Sequence, residues 1–224
     1  MSALKHIETD IKEFLDKELK VGRIFLNEWD FQMNLTLFLT DIKKYKVYLE
    51  YAVPFLFTEK NNETYPFTNK ENINVDIVIE KEGLFYPIEL KYKTKKAVIE
   101  FERFGETKTL LLKDQSHIPM SRYDFWKDVA RLEFLKRCFE KIRGGLCIFL
   151  TNNHIYMNKE EGVSEMFTME KDSPHFGKLE FKEGELKEKN PAFSLLKNYQ
   201  IDQWYDVTNN ETKITFHYCI VRVE

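Results

Sequence analysis

Residues 74–94, NVDIVIEKEGLFYPIELKYKT, carry two runs of alternating apolar and polar residues on either side of a glycine. This pattern is typical of a β-hairpin whose strands each have one face against a core. A two-residue turn at Glu82-Gly83 sets the register, because the glycine supplies the positive φ that such a turn requires. In that register Asp76 lies directly opposite Glu89, with Cβ atoms about 5 Å apart, where like charges repel. The sequence therefore predicts a cation between the two carboxylates.

Asp76 and Glu89 are oxygen ligands of the kind that Mg²⁺ or Mn²⁺ prefers, and the Leu90 carbonyl is a further candidate ligand. Lys91 lies two residues beyond Glu89 and therefore on the same face of the strand. A lysine beside a metal orients or deprotonates a water, or stabilises charge that develops on a phosphate. The simpler interpretation is an amphipathic hairpin with a salt-bridged outer face, and the spacing alone leaves both interpretations open.

The 224 residues are 43% hydrophobic and 15% aromatic, which suffices for one core of about 150–200 residues with appendages. The net charge of −3 argues neither for nor against nucleic acid, because acidic segments can offset a basic face. Three cysteines without a CxxC pair predict a reducing, cytoplasmic location without disulfides or a zinc cluster. No membrane association is expected, because the sequence contains neither an apolar run of membrane-spanning length nor a signal-peptide centre.

Apolar periodicity along the chain predicts helices and strands in a definite order. They are a helix over 3–19, a helix from Asn27 to Tyr45, a strand over 46–53, the hairpin, a helix from Ser121 to Ile142, a strand over 146–150 and closing strands within 203–224. Residues 94–119 fit either irregular strand or a long loop, and residues 156–190 are expected to be exposed loops with short strands at most. The wholly apolar stretch 146–150 predicts a central strand parallel to its predecessor.

These elements and motifs resemble the PD-(D/E)XK nuclease superfamily, which has the restriction-endonuclease-like fold. Val75-Asp76 matches the first half-motif, with Val in place of the usual Pro, and Glu89-Leu90-Lys91 matches the second. The resemblance covers residues 27–153. Five segments are also similar to an uncharacterised prokaryotic branch of that superfamily: NEWDFQ at 27–32, VYLEYAVP at 47–54, PIELKYKTK at 87–95, SRYDFWKDVARLE at 121–133 and CIFLTN at 147–152.

The resemblance implies an α/β fold with an αβββαβ core, a central mixed sheet flanked by helices, an N-terminal helix and a C-terminal β extension. The expected organisation is a single domain over 1–224, with a nuclease core at 27–153 and an extension at 154–224 packed on that core. The implied activity is a Mg²⁺- or Mn²⁺-dependent endonuclease that hydrolyses phosphodiester bonds of DNA, in restriction or defence against foreign DNA. RNA stays open as a substrate and repair as a pathway, and a homodimer stays open because many such nucleases are dimers.

The resemblance also assigns roles to individual residues. The implied catalytic and metal-binding groups are the carboxylates of Asp76 and Glu89, the backbone carbonyl of Leu90 and the side chain of Lys91. The superfamily often adds an acid from the first core helix, and Glu28 stands in that place. The alternative for Glu28 is an acid favoured by the helix dipole, and Glu50 in the first core strand competes for the same role.

The residues implied to contact nucleic acid are Gln32, Lys93, Lys95, Lys96 and Arg131. For the lysines, a solvated lysine-rich face is an equal alternative to tracking a nucleic-acid backbone. For Arg131 the alternatives are an i,i+3 ion pair with Asp128 and the anchoring of an acid of the site. Two other functions stay open: a catalytically weak or inactive nucleic-acid-binding subunit of the same fold, and a plain structural domain.

Overall fold

The computed structural model describes residues 2–54, 72–115 and 117–224. Its helices are α1 (Ala3–Lys20), α2 (Glu28–Leu37), α3 (Ile118–Cys138) and α4 (Gly184–Lys189). Its strands are β1 (Lys46–Pro54), β2 (Asn72–Lys81), β3 (Leu84–Lys93), β4 (Ala97–Arg103), β5 (Glu106–Leu112), β6 (Gly145–Thr151), β7 (His175–Leu179), β8 (Phe193–Tyr199), β9 (Trp204–Thr208) and β10 (Thr215–Val223). Within the described ranges no helix combines the length and the apolarity that a membrane span requires.

A mixed six-stranded sheet in the order β1-β2-β3-β6-β10-β9 forms the centre of an α/β fold. The predicted hairpin is confirmed, since β2 and β3 pair from Lys81↔Leu84 to Ile77↔Ile88. Both residues of the turn at Glu82-Gly83 have positive φ, 56° and 72°. β6 is buried along its whole length and parallel to β3, which confirms the prediction of a central parallel strand.

Two apolar layers cover the two faces of this sheet. α1 and α2 cover one face, where Phe14, Phe25 and Phe31 pack with ring centroids 5.1–6.5 Å apart. α3 and the small β7–β8 sheet cover the other face, where Trp126 stacks on His175. Burial on both faces explains why the sequence of β6 is apolar almost throughout.

Residues 94–119, for which the sequence left strand and loop open, contain the antiparallel hairpin β4–β5. The base of this hairpin is anchored by Ile99 and Leu112, both buried in the layer that contains α1 and α2. The hairpin is inserted between β3 and α3, so the predicted order of helix, three strands, helix and strand is present with this addition.

The helix boundaries differ from the predicted ones. α2 ends at Leu37 and continues as a π-helical turn over Phe38–Ile42. α3 begins at Ile118 rather than after Ser121, because Pro119 is well tolerated in a first turn, where its missing N–H would have no intrahelical partner. The Ser121 hydroxyl instead donates to the His117 carbonyl oxygen at 3.1 Å.

The C-terminal extension is more closely integrated than predicted. It does not only pack on the core: β10 pairs with β6 and β9 pairs with β10, so both strands continue the central sheet. Residues 156–190 contain the strand β7 and the short helix α4, in addition to polar loops.

A single buried carboxylate ties α3 to the extension. Glu133 accepts hydrogen bonds from the N–H groups of Leu196 and Lys197, both at 2.9 Å, and from the Tyr199 hydroxyl at 3.1 Å. Glu133 is 5% exposed. Because these donors lie on β8, Glu133 joins the Trp126–His175 stacking in holding the β7–β8 sheet against α3.

Replacing Glu133 with alanine removes the acceptor of one buried and two partly buried hydrogen bonds, and we expect the free energy of unfolding to fall by about 2–3 kcal/mol. Glu133→Gln keeps one acceptor oxygen, so a smaller loss is expected. Urea unfolding at pH 7 measures both changes. Glu185→Ala, at an exposed acid of α4, is the matched control, with an expected change within about 0.5 kcal/mol. A Glu133→Ala loss as small as that of the control would contradict the assignment.

Candidate active site

The site lies where β2 and β3 separate. Their ladder ends at Ile77↔Ile88, one pair before the predicted Asp76–Glu89 pair, so the expected direct opposition of these two acids is not formed. Asp76 Oδ2 instead accepts a hydrogen bond from the Leu90 N–H at 2.6 Å. The carboxylate therefore takes the place that a backbone carbonyl of β2 would occupy in a continuing ladder.

β1 and β2 are both irregular at this point. Val75 and Val78 both lie in the apolar layer on the α3 side, although residues three apart on a regular strand face opposite ways. Ile77 lies in the other layer. On β1, Glu50 has a φ of 46° at the position that the register places opposite Asp76. Such irregularities re-aim a side chain, and here the carboxylate of Asp76 is aimed at β3.

A second carboxylate reaches the same edge of β3. Glu28 is the first residue of α2, directly after Asn27, whose side chain caps the helix. Its Oε2 accepts a hydrogen bond from the Tyr92 N–H at 2.8 Å. The N–H groups of Leu90 and Tyr92 leave the same edge of the strand because the residues are two apart. Glu28, rather than Glu50, is thus the acid that the structure brings onto β3.

Gln32 links α2 to the two strands beside the site. Its Nε2 donates to the Asp76 carbonyl oxygen at 2.7 Å and to Glu50 Oε1 at 2.8 Å. The residue is 5% exposed. Its amide is therefore buried and bonded within the protein, and its contact with nucleic acid stays a prediction. Its role is to position the backbone of Asp76.

Lys91 and Asp128 form an ion pair on the side of the sheet that faces α3. Lys91 Nζ lies 2.7 Å from Asp128 Oδ2 and 3.2 Å from the Leu90 carbonyl oxygen. Burial alone would lower the pKa of Lys91, but the neighbouring carboxylates, above all Asp128 and Glu28, outweigh burial and raise this pKa. Lys91 is therefore held as an ammonium ion.

Glu89 and Arg131 form the second ion pair of the site. Glu89 is 1% exposed; its Oε1 lies 2.8 Å from Arg131 Nη1, and its Oε2 has no hydrogen-bond partner in the described part of the chain. Arg131 Nη2 also lies 3.2 Å from Asp128 Oδ1, which confirms the predicted i,i+3 pair. Arg131 thus holds two acids of the site, and its contact with nucleic acid stays a prediction.

The three lysines after Lys91 lie at the exit of β3. Lys95 and Lys96 are exposed and Lys93 is half-buried, and none of the three forms an ion pair with another described residue. Asn152, which follows β6, holds the backbone here: it accepts from the Lys95 N–H at 2.7 Å and donates to the Lys95 carbonyl at 3.1 Å. These cations are therefore presented to solvent from a fixed segment.

Asp124, which was not predicted as a site residue, adds a further acid to this region. Burial first, and then the charge of Asp128, raise the pKa of Asp124. The signal was present in the spacing, because Asp124, Asp128 and Arg131 are four and three residues apart and share one face of α3. The pattern was interpreted as one isolated ion pair because periodicity does not reveal that this face lies against β3.

The acids of the site have too few positive partners. Burial raises the pKa of Asp76 to about 6, although Lys91 and the Leu90 N–H act in the opposite direction. Burial likewise raises the pKa of Glu89 well above its usual range, against the effect of Arg131. Because the charged form of each acid is disfavoured, an additional cation at this place would stabilise both carboxylates.

The donor set fits a magnesium-like ion held by few protein ligands. Among the described residues no group of three or more His, Cys, Asp or Glu side chains is arranged to hold a metal ion. Mg²⁺ often binds through only one or two carboxylates, keeps several waters and completes its shell with substrate phosphate. The unbonded Oε2 of Glu89 and the carboxylate of Asp76 are donors of this type.

Comparisons with known proteins identify no relative: no family model matches the chain, and neither a curated protein nor a solved structure matches it. The function is therefore inferred from the residues of the site and their geometry, since a fold alone does not specify an activity.

The raised pKa of Asp76 predicts a pH-dependent effect of Asp76→Asn. The folded pKa of about 6 exceeds the ordinary value of 3.8, so ionisation destabilises the fold as the pH rises between these values. Asparagine keeps an acceptor for the Leu90 N–H and carries no charge. Thermal unfolding of metal-free protein should show Asp76→Asn to be more stable at pH 7.5, by up to about 2–3 kcal/mol, with the gain vanishing near pH 4. An equal difference at both pH values would contradict this account.

Proposed function

We propose that the chain is a metal-dependent nuclease that hydrolyses phosphodiester bonds of DNA. The observation that carries the proposal is the meeting of three groups at one break in the β2–β3 ladder. They are the edge carboxylate of Asp76, the buried carboxylate of Glu89 with its unbonded oxygen, and the buried ammonium of Lys91. Carboxylates with too few neighbouring cations attract a divalent metal, and a fixed ammonium beside them stabilises an anionic phosphate.

The order of the elements supports a restriction-endonuclease-like core. α2, β1, β2, β3, α3 and β6 follow one another as helix, three strands, helix and strand, with β4–β5 inserted. The half-motif residues lie on β2 and β3, and the auxiliary acid Glu28 lies on α2. This arrangement agrees with the superfamily that the sequence resembles.

Asp76, Glu89 and the Leu90 carbonyl are the groups that would hold Mg²⁺ or Mn²⁺. When bound, such a metal lowers the pKa of a coordinated water and neutralises charge on the phosphodiester. Asp76 has to lose its proton to act as a ligand, so protons compete with the metal and its binding weakens as the pH falls below about 6. Arg131 holds Glu89 in place through its Oε1 and leaves the second oxygen available.

The protonation state of Lys91 decides whether it acts as a base towards water or as a hydrogen-bond donor. An amine with a raised pKa is protonated at neutral pH and cannot accept a proton from water. Its role in the proposal is therefore to donate hydrogen bonds, either to the attacked phosphate or to the attacking water. Asp128 keeps the ammonium at the end of β3, and Glu28 adds a negative charge that stabilises it.

Cleavage of DNA tests the proposal directly. Wild-type protein with Mg²⁺ or Mn²⁺ at pH 7.5 should cleave plasmid and single-stranded DNA, and chelation should abolish the activity. Asp76→Ala and Lys91→Ala should each reduce the cleavage rate on the order of 100-fold or more. Lys159→Ala, at an exposed lysine whose ion pair with Glu161 lies at the surface, is the matched control and should retain full activity.

Circular dichroism and thermal unfolding establish that the variants are folded. Wild-type protein inert on DNA and RNA with both metals would refute the nuclease proposal. So would cleavage that survives equally in Asp76→Ala and Lys91→Ala, because another site or a contaminant would then be responsible.

A metal bound at this site should also stabilise the fold. At pH 7.5, Mg²⁺ at 100 times its dissociation constant should add about 2.7 kcal/mol to the free energy of unfolding. The increase should shrink below pH 6, as Asp76 takes up its proton, and should be absent in Asp76→Ala. Thermal unfolding with and without Mg²⁺ at pH 5 and 7.5 measures it. An equal shift in Asp76→Ala would place the metal elsewhere.

A further inference from the structure

A groove of about 530 Å³ lies directly beside the auxiliary acid Glu28. It is lined by Asn27, Glu28, Trp29, Tyr92, Lys93 and Gln115. The groove therefore joins the first turn of α2 to the end of β3, the same two elements that meet in the Glu28–Tyr92 hydrogen bond. A molecule that occupied it would lie next to the candidate active site.

Trp29 is the unusual member of this lining. The residue is 64% exposed, whereas Trp126 and Trp204, the other tryptophans, are 0% and 8% exposed. Asn27 caps α2, so the start of the helix does not depend on Trp29. A large aromatic side chain normally stabilises a protein by being buried. The fold leaves most of this surface in water, next to the site.

The groove carries one acid, Glu28, whose carboxylate is bonded to the Tyr92 N–H, and positive charge predominates only along the segment that leaves the groove. Lys93 lines the groove with Trp29, and Lys95 and Lys96 continue from it along the chain. These three lysines form no ion pair with a described residue, and Asn152 holds the backbone at Lys95. We call these three lysines and Trp29 the strand platform.

We propose that the strand platform binds single-stranded DNA, with the indole of Trp29 stacked on an unpaired base and the lysines following the phosphates. An aromatic surface beside a positive track is the combination that binds single strands, and stacking tolerates any base. Paired bases in a duplex are stacked on one another and do not offer a free face. The inference rests on the proposed nuclease function for its consequence, which is a preference for cleaving unpaired strands, flaps or overhangs.

Binding without metal tests the strand platform separately from catalysis. The probe is a fluorescently labelled oligodeoxythymidylate of about 12 nucleotides, in chelator, with a blunt duplex of equal length as comparison. Because Trp126 and Trp204 are buried, quenching of tryptophan emission by the unlabelled oligonucleotide reports on Trp29. We expect quenching by the single strand, and weaker binding without quenching by the duplex.

Fluorescence anisotropy then gives the dissociation constant for each variant. Trp29→Ala should weaken binding of the single strand at least fivefold, and on the order of tenfold, whereas Trp29→Phe should retain most of the affinity. Lys93→Ala should weaken binding and reduce its salt dependence by about one phosphate contact. The matched control is Phe176→Ala, at an aromatic residue that is 67% exposed on β7, in the small sheet on the α3 side; it should bind as wild type.

Three results would overturn the inference: no binding of the single strand by wild type, a Trp29→Ala affinity within twofold of wild type, or equal quenching by the duplex.

Failure of the strand platform is distinguishable from failure of the nuclease proposal. Metal-dependent cleavage that is lost in Asp76→Ala but unaffected in Trp29→Ala would support the nuclease proposal and contradict the strand platform. Quenching and Trp29-dependent binding without any cleavage would instead support the strand platform on a non-catalytic binding module.

Discussion

The separation of β2 from β3 beyond Ile77 is the constraint on which the site depends. A strand edge inside a protein cannot leave its N–H groups without acceptors. Here the N–H groups of Leu90 and Tyr92 are bonded by the carboxylates of Asp76 and Glu28, at 2.6 and 2.8 Å. The break in the ladder thus creates a need for two acceptors at one strand edge, and here two carboxylates supply them.

Acids concentrated in this way need cations, and α3 supplies or orders them. Glu89, Arg131, Asp128 and Lys91 form a chain of alternating charges across β3 and α3. Removing one member of such a buried network leaves its partner as an uncompensated charge, which is strongly destabilising. A shortage of positive charge nevertheless remains, because burial raises the pKa values of Asp76 and Glu89 by more than Lys91 and Arg131 lower them. The same shortage that destabilises the isolated site makes it receptive to a divalent cation.

Sequence reasoning recovered the hairpin, its turn and its register because these depend on local chemistry: period-two alternation and a glycine with positive φ. Gln32 and Arg131 were predicted as nucleic-acid contacts, and the sequence did not reveal their bonding partners on the strands of the site. Both are bonded inside the protein to groups far along the chain, Gln32 to Asp76 and Arg131 to Glu89. Sequence spacing carries no information on such long-range partners, and therefore it could not decide between a contact to substrate and an internal anchor.

The sequence by itself determined the α/β class, the central hairpin and the residue types of the site, because hydrophobic periodicity and turn chemistry act over short distances. Only the tertiary structure decided how those residues are used. It ended the ladder one pair early, brought Glu28 rather than Glu50 to the edge of β3, paired Lys91 with Asp128, and left Trp29 exposed beside the site. These outcomes follow from the packing of α2 and α3 against opposite faces of one sheet, which brings together residues up to 64 positions apart.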